Sequence, residues 1–265
     1  MARRRLRALI LLATGFALGA IAVGGAVAAR YDTADGTEVT SINLTGAGLP
    51  NLRAESTYGV AELPRTIRAY HDSGLYDQEL AEVDAKAKRS LGNQLRRLRE
   101  SPGPGRYSEC SKKGTHCHAV KPAIVLDIDE TSLSNYAGLD AASFSSAGVV
   151  PGAVAGNDPA IQPTLDLYSY ARSQGVAAFF ITGRPDAVRG STDSNLQGVG
   201  YSQGYTLITK PAELETIEYK SGERAKIEDQ MGFTVLVNVG DQDSDLAGGH
   251  AVRPFKLPNP MYYIP

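Results

Sequence analysis

The sequence of 265 residues has no internal repeat and no excess of positive charge. Its 27 lysines and arginines are offset by 29 aspartates and glutamates, which gives a formal net charge of −2. Binding to a nucleic-acid polymer depends on clustered positive charge, so the composition argues against that class of partner. A hydrophobic content of 42% over this length suffices for one sizeable domain, with or without an insert.

The first residues have the pattern of an export signal. Four arginines within residues 3–7 precede an uncharged apolar run from Ala8 to Ala22 and the small-x-small sequence Ala26-Val27-Ala28. This pattern predicts a signal peptide over residues 1–28 and a secreted, extracellular protein. An uncleaved signal that anchors the chain at the outer face of a membrane is the alternative. Cleavage would leave 23 basic and 29 acidic residues, a net charge near −6.

Cysteine is scarce as well. Cys110 and Cys117 lie in one short polar segment, and in an exported protein we expect a single local disulfide between them. A zinc cluster with His116 and His118 is the alternative, but the four residues lack the paired spacing of structural zinc sites.

Residues 29–58 are rich in threonine, glycine and serine, which favours a linker or loosely packed arm. The predicted globular domain covers residues 59–265. It begins with a helical extension, in which Pro64 suits a helix first turn and a longer helix runs from Asp77 to Arg99.

Strands and helices then alternate, which predicts an α/β fold with a doubly wound, Rossmann-like parallel sheet. Residues 132–161 interrupt the rhythm and are predicted to be a small cap insert after the first strand. The predicted strands are Ala123–Leu126, Ala177–Ile181, Tyr205–Ile208 and Thr234–Val239, and the predicted helices are Pro163–Gln174, Asp186–Gln197 and Ser221–Met231.

Asp127 and Asp129 follow the first of these strands directly. Residues two apart on an extended chain face the same way, so the two carboxylates should project together from the carboxyl edge of the sheet. Two adjacent carboxylates repel each other, which indicates a bound metal ion or separated pKa values. A polar turn, with Asp129 or Thr131 capping a helix, is the alternative.

Two further strands end on polar groups. Thr182-Gly183-Arg184 follows one strand, and Gly240-Asp241 opens a segment that continues to Asp245. Helix caps and polar turns could explain either segment alone.

In their joint order, these segments resemble the motifs of the haloacid dehalogenase-like superfamily. Within it, the chain is similar to secreted acid phosphatases of classes B and C, including plant vegetative storage proteins, from about Glu62 to the C-terminus. The matching segments are Asp127 to Asn135 (DIDETSLSN), Thr182-Gly183-Arg184, Tyr219-Lys220-Ser221, Asn238 to Gln242 with Asp245, and the tail Lys256 to Pro265 (KLPNPMYYIP).

The resemblance implies a role for each of these residues. Asp127 would be the nucleophile, Asp129 the general acid and base, and Thr182, Gly183 and Lys220 the ligands of the phosphoryl group. One Mg²⁺ would be held by Asp127, Asp129 through its backbone carbonyl, and Asp241, with Asp245 orienting its surroundings.

Several assignments stay open. Lys210 and Lys226 compete with Lys220, and Arg184 could bind substrate or pair with an acid. Tyr136 and Phe144 in the insert could stack on a nucleobase or belong to the core. The resemblance implies a secreted, metal-dependent acid phosphatase acting on small phosphomonoesters through an aspartyl-phosphate. The alternatives are a phosphotransferase and a non-catalytic storage or binding protein.

Overall fold

The computed structural model describes residues 28–32, 38–43, 62–114, 116–211 and 213–262. The strands among them are β1 (Ala28–Asp32), β2 (Glu38–Asn43), β3 (Ser108–Cys110), β4 (Cys117–Ala119), β5 (Lys121–Leu126), β6 (Ala177–Pro185), β7 (Thr206–Lys210), β8 (Phe233–Gly240) and β9 (Arg253–Lys256). The α-helices among them are α1 (Glu62–Asp72), α2 (Leu75–Glu100), α3 (Tyr136–Ala141), α4 (Val149–Ala155), α5 (Gln162–Ser173), α6 (Arg189–Gly198), α7 (Thr216–Ala225) and α8 (Asp243–Leu246).

The chain divides into two units, residues 1–49 and 50–265. In the first unit, β1 and β2 pair antiparallel, with Ala28 opposite Asn43. The sequence predicted a linker or arm here, and the structure has two strands instead; β-branched Val39, Thr40 and Ile42 favour the extended backbone of β2. The predicted signal peptide lies outside the described residues, except for Ala28.

In the second unit, five parallel strands form a sheet in the order β7-β6-β5-β8-β9. The predicted doubly wound α/β fold is confirmed. The chain leaves β5 in one direction through β6 and β7, and returns to the other side of β5 through β8 and β9. The crevice between β5 and β8 is therefore the topological switch point, where such folds bind ligands. Strand β9 was not predicted; it is a short edge strand and contains Pro254.

The two faces of the sheet are apolar and packed differently. Ala123 and Val125 of β5 lie in one cluster with Phe179 and with Tyr219 of α7. Phe180 points to the opposite face and packs against Tyr168 of α5, with 5.9 Å between ring centroids. Because side chains alternate along a strand, the position after Leu126 belongs to the α7 face.

The helical extension covers the α5 side of the sheet. Helix α2 contacts α5, β8 and β9, and begins and ends within two residues of its predicted bounds. Its stripe of buried side chains includes Leu80, Ala87, Leu91 and Leu95. None of the helices in the described part of the chain combines the length and apolarity that a membrane crossing requires.

The predicted disulfide is confirmed. Cys110 and Cys117 face each other across the hairpin of β3 and β4 and are bonded. Both sulfur atoms are used in this bond, so the zinc alternative is wrong.

One buried carboxylate joins α2 to α5. Asp84 is 2% exposed, and its Oδ2 accepts a hydrogen bond from the Thr164 hydroxyl at 3.0 Å. Its Oδ1 is buried and has no hydrogen-bond partner. Burial raises the pKa of Asp84 to about 7. The folded state therefore keeps a proton that the unfolded chain releases near pH 4. The stabilisation that comes from this retained proton is lost as the pH rises from 4 to 7.

We expect Asp84→Asn to remove most of this pH dependence. The difference in free energy of unfolding between the variant and the parent chain, measured by urea denaturation, should shift in favour of the variant by about 2 to 3 kcal/mol from pH 5 to pH 8. Asp77→Asn, which changes an exposed carboxylate of the same helix, is the control and should act about equally at both pH values. An equal offset for Asp84→Asn at both pH values would contradict the assignment.

Candidate active site

The backbone after β5 brings Asp127 to the switch point. The Asp127 amide donates to the Val239 carbonyl at 3.0 Å, so the pairing of β5 with β8 continues one residue past the strand. Asp127 is 5% exposed and lies on the α7 face, as the alternation predicts.

A tight turn then fixes the direction of the chain. The Ile128 carbonyl accepts the amides of residues 131–133, and the Ser132 hydroxyl donates to the Asp127 carbonyl at 2.6 Å. Glu130 adopts a left-handed backbone with φ of 52°, and its buried carboxylate accepts the Asn135 amide at 2.5 Å. These contacts tie the turn to the start of α3.

Lys220 of α7 reaches into the same crevice. Its ammonium donates to Asp127 Oδ1 at 2.6 Å and to Asp245 Oδ1, and its side chain is 6% exposed. Burial alone would lower the pKa of Lys220, but the carboxylates of Asp127 and Asp245 outweigh it and raise the pKa. The competing lysines lie elsewhere: Lys210 contacts the Pro211 carbonyl, and Lys226 forms an exposed pair with Glu223.

The carboxylates around Lys220 outnumber it. Asp127, Asp241 and Asp245 are all buried, and each offers an oxygen within 4.8 Å of the others. Burial and the neighbouring carboxylates hold the pKa of Asp127 well above its usual range, against the effect of Lys220. Burial and Asp245 raise the pKa of Asp241 to about 6. Ionised together, these groups would leave a net negative charge in a buried crevice.

This donor set fits a hard divalent cation such as Mg²⁺. All three ligating groups are carboxylates, and oxygen is the donor that Mg²⁺ prefers. A cation would relieve the repulsion that raises the pKa of Asp127 and Asp241. The side chain of Asp129 lies outside this cluster, so only its backbone carbonyl remains for the predicted contribution to a metal site.

Asp241 is held by three donors from three segments. Its Oδ1 accepts from the Thr131 hydroxyl at 3.2 Å, and its Oδ2 accepts from Gln242 at 2.6 Å and from Asn259 at 2.7 Å. Asn259 lies in the C-terminal tail, which is buried from Leu257 to Tyr262. Asn259 had no predicted role, although the tail that contains it (KLPNPMYYIP) is one of the segments that carry the family resemblance, and Thr131 was considered only as a helix cap.

Asp245 belongs to the short helix α8, and its side chain contacts the N-cap of that helix and Lys220 of α7. Its Oδ2 accepts the Gln242 amide at 2.8 Å, while its other oxygen contacts Lys220. Gly240 makes this approach possible, because a Cβ atom there would lie 2.3 Å from the Asp245 Cβ. Asp243, between the two buried acids, is exposed.

Asp129 lies apart from the carboxylate cluster and pairs with Arg184. The guanidinium donates to Asp129 Oδ1 through Nη2 at 2.7 Å and through Nε at 3.0 Å, and Asn135 donates to the same oxygen at 2.9 Å. Of the two roles left open for Arg184, this structure shows pairing with an acid.

The strand end that carries Arg184 also places Thr182. Thr182 is fully buried, and its Oγ1 accepts the Arg184 amide at 3.1 Å, a bond that does not use the hydroxyl hydrogen. Gly183 between them is exposed. Thr182 can therefore still donate its hydroxyl hydrogen to a phosphoryl oxygen.

The insert places aromatic residues beside α3. Tyr136 stacks on His71 of α1, with ring centroids 3.5 Å apart and an interplanar angle of 6°. Phe144 is 6% exposed and lies 6.0 Å from Tyr136. One face of Tyr136 is thus covered and Phe144 is core, so this arrangement gives no open platform for a nucleobase between them.

Comparison with known proteins agrees with this architecture. The sequence model of the family described as HAD superfamily, subfamily IIIB (Acid phosphatase), matches residues 78–265. A stem 28 kDa glycoprotein of Glycine max is 37% identical over 155 residues, which are 54% of this chain and 61% of that protein. Acid phosphatase 1 of Solanum lycopersicum is 35% identical over 53% of this chain and 58% of its own length.

A storage protein and a solved structure are also similar. Vegetative storage protein 1 of Arabidopsis thaliana is 32% identical over 53% of this chain and 55% of its own length. The match with this chain therefore spans little more than half the length of these curated relatives. The class C acid phosphatase of Bacillus anthracis shares the fold, with a TM-score of 0.60 and 18% identity over 78% of this chain and 87% of that structure.

We expect Asn259→Leu to weaken divalent cation binding, because Asp241 Oδ2 loses one of its two donors. Isothermal titration of the full chain with Mg²⁺ should show a dissociation constant raised about 10- to 100-fold. Thr131→Val, which removes the donor to Oδ1 with little change of shape, should act in the same direction.

Gln94→Leu is the matched control, since it removes a buried amide that bonds the Leu236 carbonyl and not a carboxylate of the site. It should leave the affinity unchanged. A folded Asn259→Leu protein with the same Mg²⁺ affinity as the parent would contradict the role given to the tail.

Proposed function

The chain belongs to the acid phosphatases of HAD subfamily IIIB, and from that premise we propose that it is a secreted, metal-dependent phosphomonoesterase acting on small phosphate esters. The observation that carries the proposal is the buried crevice in which Asp127, Asp241, Asp245 and Lys220 meet, with Asp129 beside it on a separate ion pair. The apolar run after the N-terminal arginines and the disulfide support export.

In the first step, an Asp127 oxygen attacks the phosphorus atom of the ester. The phosphorus–oxygen ester bond breaks, and Asp129 gives its proton to the departing oxygen, so that an alcohol leaves and an aspartyl-phosphate remains. In the second step, water attacks the phosphorus atom, the bond between phosphorus and the Asp127 oxygen breaks, and Asp129 takes a proton from the water. Inorganic phosphate leaves, and both carboxyl groups return to their starting states.

The other residues hold charge and geometry. Lys220 places a buried positive charge beside the nucleophile, within reach of the phosphoryl oxygens, and Thr182 and the Gly183 amide supply donors at the neighbouring strand end. Asp127, Asp241 and the Asp129 carbonyl would hold the cation, with Asp245 orienting the cluster. When bound, Mg²⁺ would neutralise phosphoryl charge.

We expect Asp127→Asn to abolish phosphate release, because an amide is not a competent nucleophile. The purified chain, assayed for inorganic phosphate against a panel of phosphomonoesters, should lose activity by roughly 10³-fold or more. A chelator should also stop turnover, and Mg²⁺ should restore it.

Asp243→Asn is the matched control, since it changes an exposed carboxylate two residues from Asp241 and should leave activity intact. Activity that survives in Asp127→Asn would exclude this nucleophile. A folded parent chain that releases no phosphate from any ester would instead favour the non-catalytic alternative, while transfer of phosphate to added alcohols would favour a phosphotransferase.

A further inference from the structure

A second buried charge cluster lies beside the proposed nucleophile and centres on Arg184. The side chain is 3% exposed, and each of its three nitrogens donates within the protein. Nε and Nη2 bond Asp129, Nη1 bonds the Thr192 hydroxyl at 3.2 Å, and Nη2 also bonds Asp158 Oδ2 at 3.0 Å. The planar guanidinium is thus held by Asp129 on one side and by Thr192 and Asp158 on the other.

Asp158 is itself held rigidly at the end of the insert. Its amide donates to Asn195 Oδ1 at 2.9 Å, and Asn195 Nδ2 donates back to the Asp158 carbonyl at 2.8 Å. Gly152 of α4 makes room for the carboxylate, because a Cβ atom there would lie 1.8 Å from Asp158 Oδ1. The position of Asp158 therefore depends on both the insert and α6.

The two ends of the insert are joined close to Asp129. The Ser134 amide donates to the Pro159 carbonyl at 2.9 Å, and the Ile161 amide donates to the Ser132 carbonyl at 3.0 Å. Asn135 from one end bonds Asp129 directly, and Asp158 from the other end acts through Arg184. Both ends of the insert thus restrain the same carboxylate.

We infer that Arg184 is a positioning residue that aims the Asp129 side chain for proton transfer, that Asp158 and Thr192 hold Arg184 in place, and that Arg184 does not bind the transferring phosphoryl group. This inference rests on the proposed function. A proton donor must lie within hydrogen-bond reach of the departing oxygen, so a carboxylate fixed by a planar fork keeps the required geometry.

If Arg184 positions Asp129, its loss should affect substrates differently according to their leaving group. An arginine that binds the phosphoryl group would not produce this difference. The leaving group of an alkyl phosphate is a strongly basic alkoxide, which needs the proton of Asp129. The leaving group of 2,4-dinitrophenyl phosphate is a weakly basic phenolate, which does not. Misplacing Asp129 should therefore slow only the first kind of substrate. Losing a phosphate ligand should slow both kinds, because their phosphoryl groups are identical.

The test compares kcat/KM for glycerol phosphate and 2,4-dinitrophenyl phosphate in the full chain with Mg²⁺. For each substrate, kcat/KM reports the steps up to release of the alcohol. It therefore separates proton donation by Asp129 from the later action of Asp129 on water. Asp158→Asn should lower kcat/KM for glycerol phosphate by about 10- to 100-fold and change the value for dinitrophenyl phosphate by less than about threefold. Thr192→Val should show the same selectivity with a smaller loss.

Asp186→Asn is the control, since it breaks an exposed carboxylate–arginine pair with Arg189 after the same strand and should change neither value. Equal losses for both substrates in folded Asp158→Asn and Thr192→Val proteins would overturn the inference. Failure of the proposed function would be seen separately, as a parent chain that hydrolyses neither substrate.

Discussion

The structure of the site depends on one buried charge imbalance, in which a single ammonium serves several carboxylates. Lys220 contacts Asp127 and Asp245, while Asp241 stands within reach of both acids. Buried ions are costly unless they are paired, and breaking such a group by removing one partner leaves an uncompensated charge. The remaining negative charge suits the crevice to a cation, which would also offset the negative charge of a phosphoryl group. The same carboxylates whose mutual repulsion costs stability thus form a donor set for a cation.

Topology explains why so many acids can meet there. The acids follow β5 and β8, which are neighbours in the sheet although Asp241 lies 114 positions after Asp127 in the chain. Adjacent parallel strands present their carboxyl ends at one edge, and at the switch point the connecting helices diverge and leave a crevice. Helix α7 then supplies Lys220 from the face that Asp127 shares. The C-terminal tail completes the arrangement through Asn259, which holds Asp241 directly after the end of β8.

Local patterns predicted the parts of this structure that local physics determines. The strand ends, the alternation that places Asp127, and the disulfide follow from apolar runs, period-two geometry and cysteine pairing. The strands β1 and β2 were missed because a segment rich in threonine and glycine gives no clear period, and β9 was missed because it is short and has polar ends. The roles of Thr131, Asp158 and Asn259 could not be predicted, since each depends on a hydrogen bond to a residue at least 18 positions away. Nothing in a single sequence specifies such a partner.

The separation of Asp127 from Asp129 follows from the different cations that face them. Asp127 is buried beside Asp241 and Asp245 and meets the compact ammonium of Lys220, which places a point charge next to its oxygen. Asp129 keeps a side chain that is 15% exposed and meets the rigid fork of Arg184, which fixes direction. A point charge beside the nucleophile can also attract phosphoryl oxygens, while a planar guanidinium holds a proton donor in one direction. Asp127 and Asp129 were predicted to project together, but the turn at Ile128 separates their side chains, and a lysine from α7 and an arginine from β6 give them distinct environments.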